Sequence, residues 1–240
     1  MPSERYYLSE SLRPLDRKLL KGSEFHHLAH VMRTRQGGKV ELVNGQGSLA
    51  QATVADLGRN QATLLLDSIK EIAKTPAKLI LAQALPKPNR LEFVLEKGTE
   101  LGVDEFWLFP GETSQKKEIY PQQIERAEAI TIAAMKQCGR LFLPKVLIKP
   151  PLEEWTAFSS TAFFGDVAPS TPLLDDIVST TELPIIFVTG PESGFTQNEI
   201  ELLKNKGAKG VKLHQNILRT DTASLAAVTL LSMSLMRHSL

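Results

Sequence analysis

In the stretch LHQNILRTDTASLAAVTLLSMSLMRH, residues 213–238, Arg219 and Asp221 stand directly before a run, 222–236, that carries no charge. Thr220 or Asp221 can cap a helix starting there by accepting from its free N–H groups, and Asp221 also suits the positive end of the helix dipole. Arg219 is the odd residue, because a cation at a helix N-terminus is electrostatically misplaced. Such a cost is tolerated where a site needs a fixed positive charge. A second stretch, IIFVTGPESGFTQNEIELL (185–203), runs an apolar strand ending at Val188 into a loop with two glycines. Thr196, with Glu199 three residues on, then forms a capping box for the next helix. A strand, a glycine-bearing loop and a helix N-terminus make a common site for a small ligand or a phosphate. The loop matches neither GxGxxG nor GxxxxGK[ST], and Glu192 would repel a phosphate, so by pattern a structural turn and a binding site both stay open.

Further candidates surround these two. In LAQALPKPNRLEFVLEKGTELGVDEFWLF, Pro86 and Pro88 break a strand, Lys87 and Arg90 give a basic edge, and the following helix is expected to bury Leu91, Val94, Leu95 and Leu101. KQCGR ends a helix with Gly139 as C-cap and Arg140 near its negative terminus. His26, His27 and His30 share one expected helix, but neither a cysteine nor an ordered carboxylate cluster accompanies them, so no metal site is expected. Cys138, the single cysteine, reads as a structural thiol because no base is placed beside it.

The elements that must position these residues change character along the chain. The first seventy residues read as short strands separated by turns: KVELVNGQGSLAQATVADL carries two β-rich runs around Asn44-Gly45, a pair suited to a tight hairpin, and QATLLLDSIKE supplies another strand. SEFHHLAHVMR reads as a short helix with Ser23 as N-cap. A small β-barrel-like domain follows. Beyond the polar stretch KEIAKTPAK, strands expected at 79–85, 106–109, 146–148, 162–164, 185–188 and 211–213 alternate with helices expected at 90–101, 122–137, 197–206 and 222–237. That alternation predicts a mainly parallel sheet covered by helices. STTELP and APSTP read as surface loops.

Bulk properties narrow the classes. The chain has 240 residues, 42% hydrophobic and 23% charged, which suits one large domain or a small one plus a medium one. The uncharged run 222–236 is shorter than the roughly 20 residues of a membrane span and is diluted by Thr222, Ser224, Thr229, Ser232 and Ser234, so it reads as a buried helix. The opening MPSERYYLSE has no apolar core of a secretory signal, and the lone cysteine fits a reducing compartment, so a cytoplasmic protein with no membrane association is expected. The net charge of +1 splits weakly, +3 over 1–75 and −2 over the rest.

Taken in order and spacing, LAQALPKPNRLEFVLEKGTELGV, KQCGR, TGPESGF and ILRTDTA resemble the bacterial 16S ribosomal RNA uridine-N3 methyltransferase family (RsmE) of the SPOUT class. HHLAHVMRTRQGGKVELVNGQG is similar to that family's small RNA-binding domain, so the resemblance spans essentially the whole chain. It implies an α/β fold with a deep trefoil knot, a mainly parallel sheet with helices on both faces, and an N-terminal PUA-like or OB-like β-barrel, divided as 1–73 and 74–240. It further implies S-adenosylmethionine as methyl donor, no metal, methylation of N3 of a uridine in 16S rRNA, that RNA within the small ribosomal subunit as partner, and a homodimer formed through the knotted domain.

Carried over by position, Thr189, Gly190, Glu192, Gly194, Leu213, His214, Ile217, Leu218, Thr220 and Thr222 would hold the donor. Arg219 would face the uracil and stabilise the negative charge that develops on the ring oxygens once N3 loses its proton. Arg5, Arg33, Arg35, Lys87, Arg140 and Arg219 would meet RNA, chiefly by neutralising phosphates. The general base stays open among Glu192, Asp221 and water. Ser193 and His214 stand where glycines are usual in the family, Asn216 and Thr113 where arginines are, and Asp221 shortens a usual glutamate. Those departures motivate a rival, a knotted RNA-binding or ribosome-assembly protein with weak or no methyl transfer. A nicotinamide-dependent oxidoreductase, resting on the strand–glycine–helix loop alone, lacks the glycine fingerprint.

Overall fold

Alternating burial marks the strands of the N-terminal part. In β4 (Ser48–Leu57) every second residue from Ser48 to Val54 is buried, as in a sheet with one face on a core. The computed structural model describes residues 4–73, 75–76, 78–178 and 183–237; most of the STTELP loop lies outside the described residues, as do Lys74 and Ala77 of the polar stretch. The strand order is β1 (Arg5–Tyr7), β3 (Lys39–Val43), β4, β5 (Gln61–Glu71), β2 (Arg17–Lys21). β1 runs parallel to β3, and the other pairings are antiparallel. Register shifts between β4 and β5 at Gln51/Ala52 and Val54/Asp56 bend the long ribbon, since an extra residue on one strand increases local twist. Tyr6, Leu20, Leu28, Leu42, Leu64 and Leu66 fill its core.

Two local expectations need correction here. The β3–β4 connection is a four-residue loop, 44–47, rather than a tight turn on Asn44-Gly45: the Asn44 Oδ1 accepts from the N–H groups of Gln46 and Ser48, and Gly45 and Gly47 take φ of 68° and 101°. Its partner is distant in sequence, with Gly47 N–H donating to Leu141 O and Leu143 N–H to Gly45 O. A Cβ on Gly47 would lie 2.7 Å from the Phe142 ring, so that position requires glycine for close approach as well as for φ. The short helix α1 (Gly22–His26) has Lys21, not Ser23, at its N-cap, without a side-chain cap bond, and passes into a π-turn over His27–Val31.

The second sheet has the order β11 (Lys209–Val211), β9 (Ala162–Gly165), β10 (Ile185–Thr189), β6 (Leu79–Ala84), β7 (Glu105–Phe109), β8 (Lys145–Ile148), every pairing parallel. All residues of β6 and β10 are buried, the continuous apolar pattern expected of parallel strands covered on both faces. One face packs Leu79, Leu81, Phe106, Phe163, Ile185 and Phe187 against α2 (Pro88–Glu100), the short α4 (Leu174–Ile177) and α6 (Thr220–Arg237). The other packs Ile80, Ala82, Phe164, Ile186 and Val188 against α5 (Gln197–Asn205) and the segment around Leu152 and Trp155. Pro88 opens α2 at its first turn, where its missing N–H costs nothing. Leu91, Val94 and Leu95 are buried as expected, while Leu101 sits just past the helix end and packs against the core. The α5 capping box is present in full. β11 ends at Val211, two residues before the expected strand end, and this leaves Leu213 in the following loop.

Two compact units result: residues up to Thr75 with Ile132–Leu143, and Pro76–Thr131 with Pro144–Leu240. The helix α3 (Pro121–Cys138) therefore begins in one and ends in the other. Its last turn joins the first unit through Lys136 Nζ, 2.5 Å from Glu24 Oε1. Gly139, at φ 88°, ends it, and the segment it releases is the one that pairs with the 44–47 loop. Among the described residues no helix is long and apolar enough to cross a membrane.

Candidate functional site

Because both faces of the parallel sheet are covered, its accessible polar groups lie at the strand ends. The loops leaving the C-terminal ends of β9, β10 and β11 surround a cleft of about 360 Å³, within the range of small-molecule sites and in the place where open α/β sheets hold ligands. The first wall is 165–167, the second is the loop 189–195, and the third is the segment 211–220 that returns from the edge strand to start α6.

The middle wall is built tightly. At Gly190 a Cβ would lie 3.1 Å from Phe195 N and 3.2 Å from Gly194 C, tighter than a side chain usually packs on backbone, and Gly194 takes φ 75°. Ser193 is not among the positive-φ residues, so serine in place of glycine there carries no backbone strain. Thr113 donates to Gly194 O at 2.9 Å. The neighbouring Glu112 N–H donates to Glu199 Oε1, whose other oxygen accepts from Thr196 N–H, so the buried Glu199 joins this loop to the capping box. Hydrogen bonds from Asn198 and Thr196 hold the Glu112 carboxyl below the usual carboxylate range.

Beneath the cleft lies Gln83, fully buried on β6 and in register with Thr189 of β10. Its Nε2 donates to Thr220 Oγ1 at 3.0 Å and Ala84 O at 2.8 Å and reaches Gly190 O at 3.4 Å; its Oε1 accepts from Ser224 Oγ at 2.6 Å. Thr220 Oγ1 itself donates to Gly190 O at 2.6 Å. At the rim, Arg90 pairs with Asp221 (Nη1–Oδ1, 2.7 Å) and with Glu192 (Nε–Oε1, 3.4 Å), and Glu192 also accepts from Lys87 N–H. The side chains of Thr220 and Asp221 are thus committed to Gly190 and Arg90 respectively, and the peptide bond that enters the helix is fixed by Ala223 N–H donating to Arg219 O.

The structure gathers nine of the ten donor-site candidates on this cleft: Thr189, Gly190, Glu192, Gly194, Leu213, His214, Ile217, Leu218 and Thr220 line it. Thr222 is exposed and lies outside the lining, because α6 starts two residues earlier than expected and turns it away. Ile217 is 84% exposed on the cleft wall, and His214 Nδ1 accepts from Asn216 N–H. Arg219 is exposed, flanked by lining residues, and its guanidinium has no partner among the described residues. Gly165, Asp166, Val167, Lys212 and Ala223 also line the cleft and were missed by motif reading. The rule that ligands sit at the C-terminal ends of parallel strands would have found the first three from the end of β9.

The RNA candidates divide. Arg5 donates from Nε and Nη2 to Glu41 Oε2 at 2.9 and 2.8 Å with a side chain only 8% exposed, which leaves little of its charge to meet a phosphate. Arg33 and Arg35 are exposed in the first unit, Arg33 at φ 56°. Arg140, in the same unit, is half-buried and engaged. Lys87 and Arg219 are exposed in the second unit. Among the described residues no cluster of three or more histidines, cysteines or carboxylates could hold a metal.

A methyl donor can be tested against this cleft directly. Thr189 Oγ1 is buried, without a hydrogen-bond partner among the described residues, on a residue that lines the cleft. A buried hydroxyl left unpaired costs about 1–3 kcal/mol, which a polar ligand seated in the cleft would recover. The exposed apolar side chain of Ile217 offers the complementary surface for a planar or aliphatic group.

Residues 73–232 match the model of the RNA methyltransferase domain, and residues 20–67 match the RNA methyltransferase PUA domain. Fold and cleft are therefore those of an RNA methyltransferase, of the trefoil-knotted SPOUT class, with a PUA-like N-terminal domain. The chain is 32% identical over 219 residues to the ribosomal RNA small subunit methyltransferase E of Synechocystis sp., covering 87% of this chain and 70% of that one. To the enzyme of the same name from Bacillus subtilis it is 27% identical over 228 residues, 89% and 88% of the two chains. A crystal structure of ribosomal RNA small subunit methyltransferase E from Neisseria gonorrhoeae bound to S-adenosyl methionine superposes with TM-score 0.85 at 29% identity, over 97% of each chain. The chain belongs to the ribosomal RNA small subunit methyltransferase E family.

Proposed function

We propose that this protein transfers a methyl group from S-adenosylmethionine to N3 of a uridine in 16S rRNA of the small ribosomal subunit, acting in the cytoplasm as a homodimer. The observation that carries the reading is the cleft at the ends of β9, β10 and β11, with its unpaired Thr189 hydroxyl and tightly folded Gly190 loop. Thr189, Gly190, Glu192, Gly194, Leu213, His214, Ile217, Leu218 and Thr220 would hold the donor by hydrogen bonds and close packing. Bound there, the donor supplies an electrophilic methyl on a cationic sulfur, and no metal is needed.

The chain's own residues then have separable tasks. Uridine N3 must lose a proton before it can attack, and negative charge spreads onto the ring oxygens as it does. Arg219, exposed and unpaired beside the cleft wall, stabilises that charge where water is partly excluded. Glu192 and Asp221 are both ion-paired to Arg90, so water remains the simplest acceptor for the proton. Arg33, Arg35, Lys87 and Arg140 would neutralise phosphates and make binding fall with salt. On α6, Met233 and Met236 are 45% and 58% exposed, an apolar face suited to a second copy; a monomer by light scattering at micromolar concentration would contradict the dimer.

The test is transfer from labelled S-adenosylmethionine to small ribosomal subunits taken from a strain lacking the gene, followed by mapping of the modified base. Label on a uridine N3 is the expected result. Donor binding without label on that subunit would move the target elsewhere, and the absence of donor binding would favour a non-catalytic RNA-binding protein.

A further inference from the structure

The buried Gln83 is a polar group outside the lining of the cleft, and the chemistry of uridine does not use it. Its neighbours on β6 are apolar, and a side-chain amide at 0% exposure in the centre of a sheet is costly unless its hydrogen bonds are met. Here they are met by two segments distant in sequence: Gly190 O in the loop after β10, and α6, which offers Thr220 Oγ1 at its start and Ser224 Oγ one turn in. Gly190 and Thr220 line the cleft. Arg219 directly precedes Thr220 and belongs to the same turn, since its carbonyl accepts from Ala223 N–H.

We propose that Gln83 is a positioning residue that couples the donor cleft to the first turn of α6, so that the Gly190 loop and Arg219 are held in one fixed relation. The proposal rests on the reading of the cleft as the donor site. An amide suits the task because it donates and accepts at once. Its nitrogen draws the Thr220 hydroxyl oxygen and the Gly190 carbonyl toward one point, while its oxygen orients Ser224 on the opposite side. A hydroxyl is too short to span these partners, and a carboxylate would face the Gly190 and Ala84 carbonyls without a proton to give. The Thr220–Gly190 bond at 2.6 Å and the Ser224–Thr220 O bond at 3.0 Å persist without Gln83. Those residual bonds keep the partners paired but no longer tie them to the sheet.

That redundancy makes Gln83→Met an informative variant: methionine has similar length and no polar group, and Gly190, Thr220 and Ser224 each keep a second hydrogen bond. Steady-state kinetics and calorimetry with S-adenosylmethionine are compared with the wild-type protein. Loss of a positioning hydrogen bond worth roughly 1.4 kcal/mol corresponds to about a tenfold rise in donor Kd and KM. Because Arg219 shifts with Thr220, kcat at saturating donor falls as well. A protein that is merely less well folded would lose kcat in proportion to its active fraction and keep the wild-type donor KM, so an unchanged KM overturns the proposal. Should Gln83→Met not fold, Ser224→Ala removes only the partner of the amide oxygen; a donor KM raised about threefold supports the coupling, and a wild-type KM overturns it. Wild-type protein that binds no donor would remove the donor-site reading itself, and the coupling with it.

Discussion

The two sheets solve the problem of polar groups in different ways. In the N-terminal sheet, burial alternates along β4, so every strand keeps one face outward and charged side chains can pair across it. Arg5 with Glu41 and Lys39 with Asp67 are such pairs, 2.8 and 2.9 Å apart. In the parallel sheet β6 and β10 are buried along their whole length, and no face is left on which a ligand could be met. Unspent polar groups then collect at the strand ends: the Thr189 hydroxyl, the Gly190 loop, and Arg219 beyond β11. A sheet covered on both faces is forced to put its chemistry at its ends, while a sheet with an open face can bind over a surface, and this contrast separates a small-molecule cleft from a nucleic-acid platform.

Changes that break the contrast most strongly belong to the second sheet. Arg219→Ala should lower kcat for methyl transfer by about 10²–10³, the usual loss for one charge-stabilising group, with donor Kd unchanged by calorimetry. Gly190→Ala places a methyl 3.1 Å from Phe195 N; overpacking of about 1–3 kcal/mol should weaken donor binding about tenfold or more. In the first sheet the paired Arg5 should behave as structure. Arg5→Ala should cost about 2–3 kcal/mol in denaturant unfolding, since it leaves a mostly buried carboxylate with fewer partners, and should leave the salt dependence of RNA binding as it was. Arg33→Ala and Arg35→Ala should do the reverse, each lowering the slope of log K against log salt by about one while stability holds.

The smallest effect is one of pH. Burial, together with the negative charges of Glu4 and Glu24 and against a hydrogen bond with Thr34, pushes the Tyr6 phenol up to about 12. Between pH 10 and 12 the folded protein keeps a proton that the unfolded chain releases, so stability present below pH 10 is lost as pH rises through that window. Urea midpoints measured across it should fall, and Tyr6→Phe should flatten the fall.

Much of this arrangement is legible in the sequence where its cause is local. The alternation of strands and helices, the Thr196–Glu199 capping box and the glycine loop after Val188 all depend on neighbouring residues, and most element ends fall within two residues of the pattern. What escapes is set by partners distant in the chain. The 44–47 loop takes its shape from 141–143, and Arg5 is spent by Glu41 across a strand pairing. The ends of β9 carry no motif yet line the cleft, and Gln83 looks like one more residue of an apolar strand until Gly190, Thr220 and Ser224 close around it. Thr222 was carried over by motif position, and the helix that already begins at Thr220 leaves it exposed and outside the lining.

The central claim, that the strand ends hold the methyl donor, is tested most directly by titrating S-adenosylmethionine into wild-type protein and Thr189→Val in a calorimeter. The valine is nearly isosteric and removes only a hydroxyl that has no partner among the described residues. The account predicts that the donor-free variant is at least as stable as wild type and binds donor about five- to tenfold more weakly, the value of one hydrogen bond. Equal affinity in the two proteins, or none in the wild type, would contradict it.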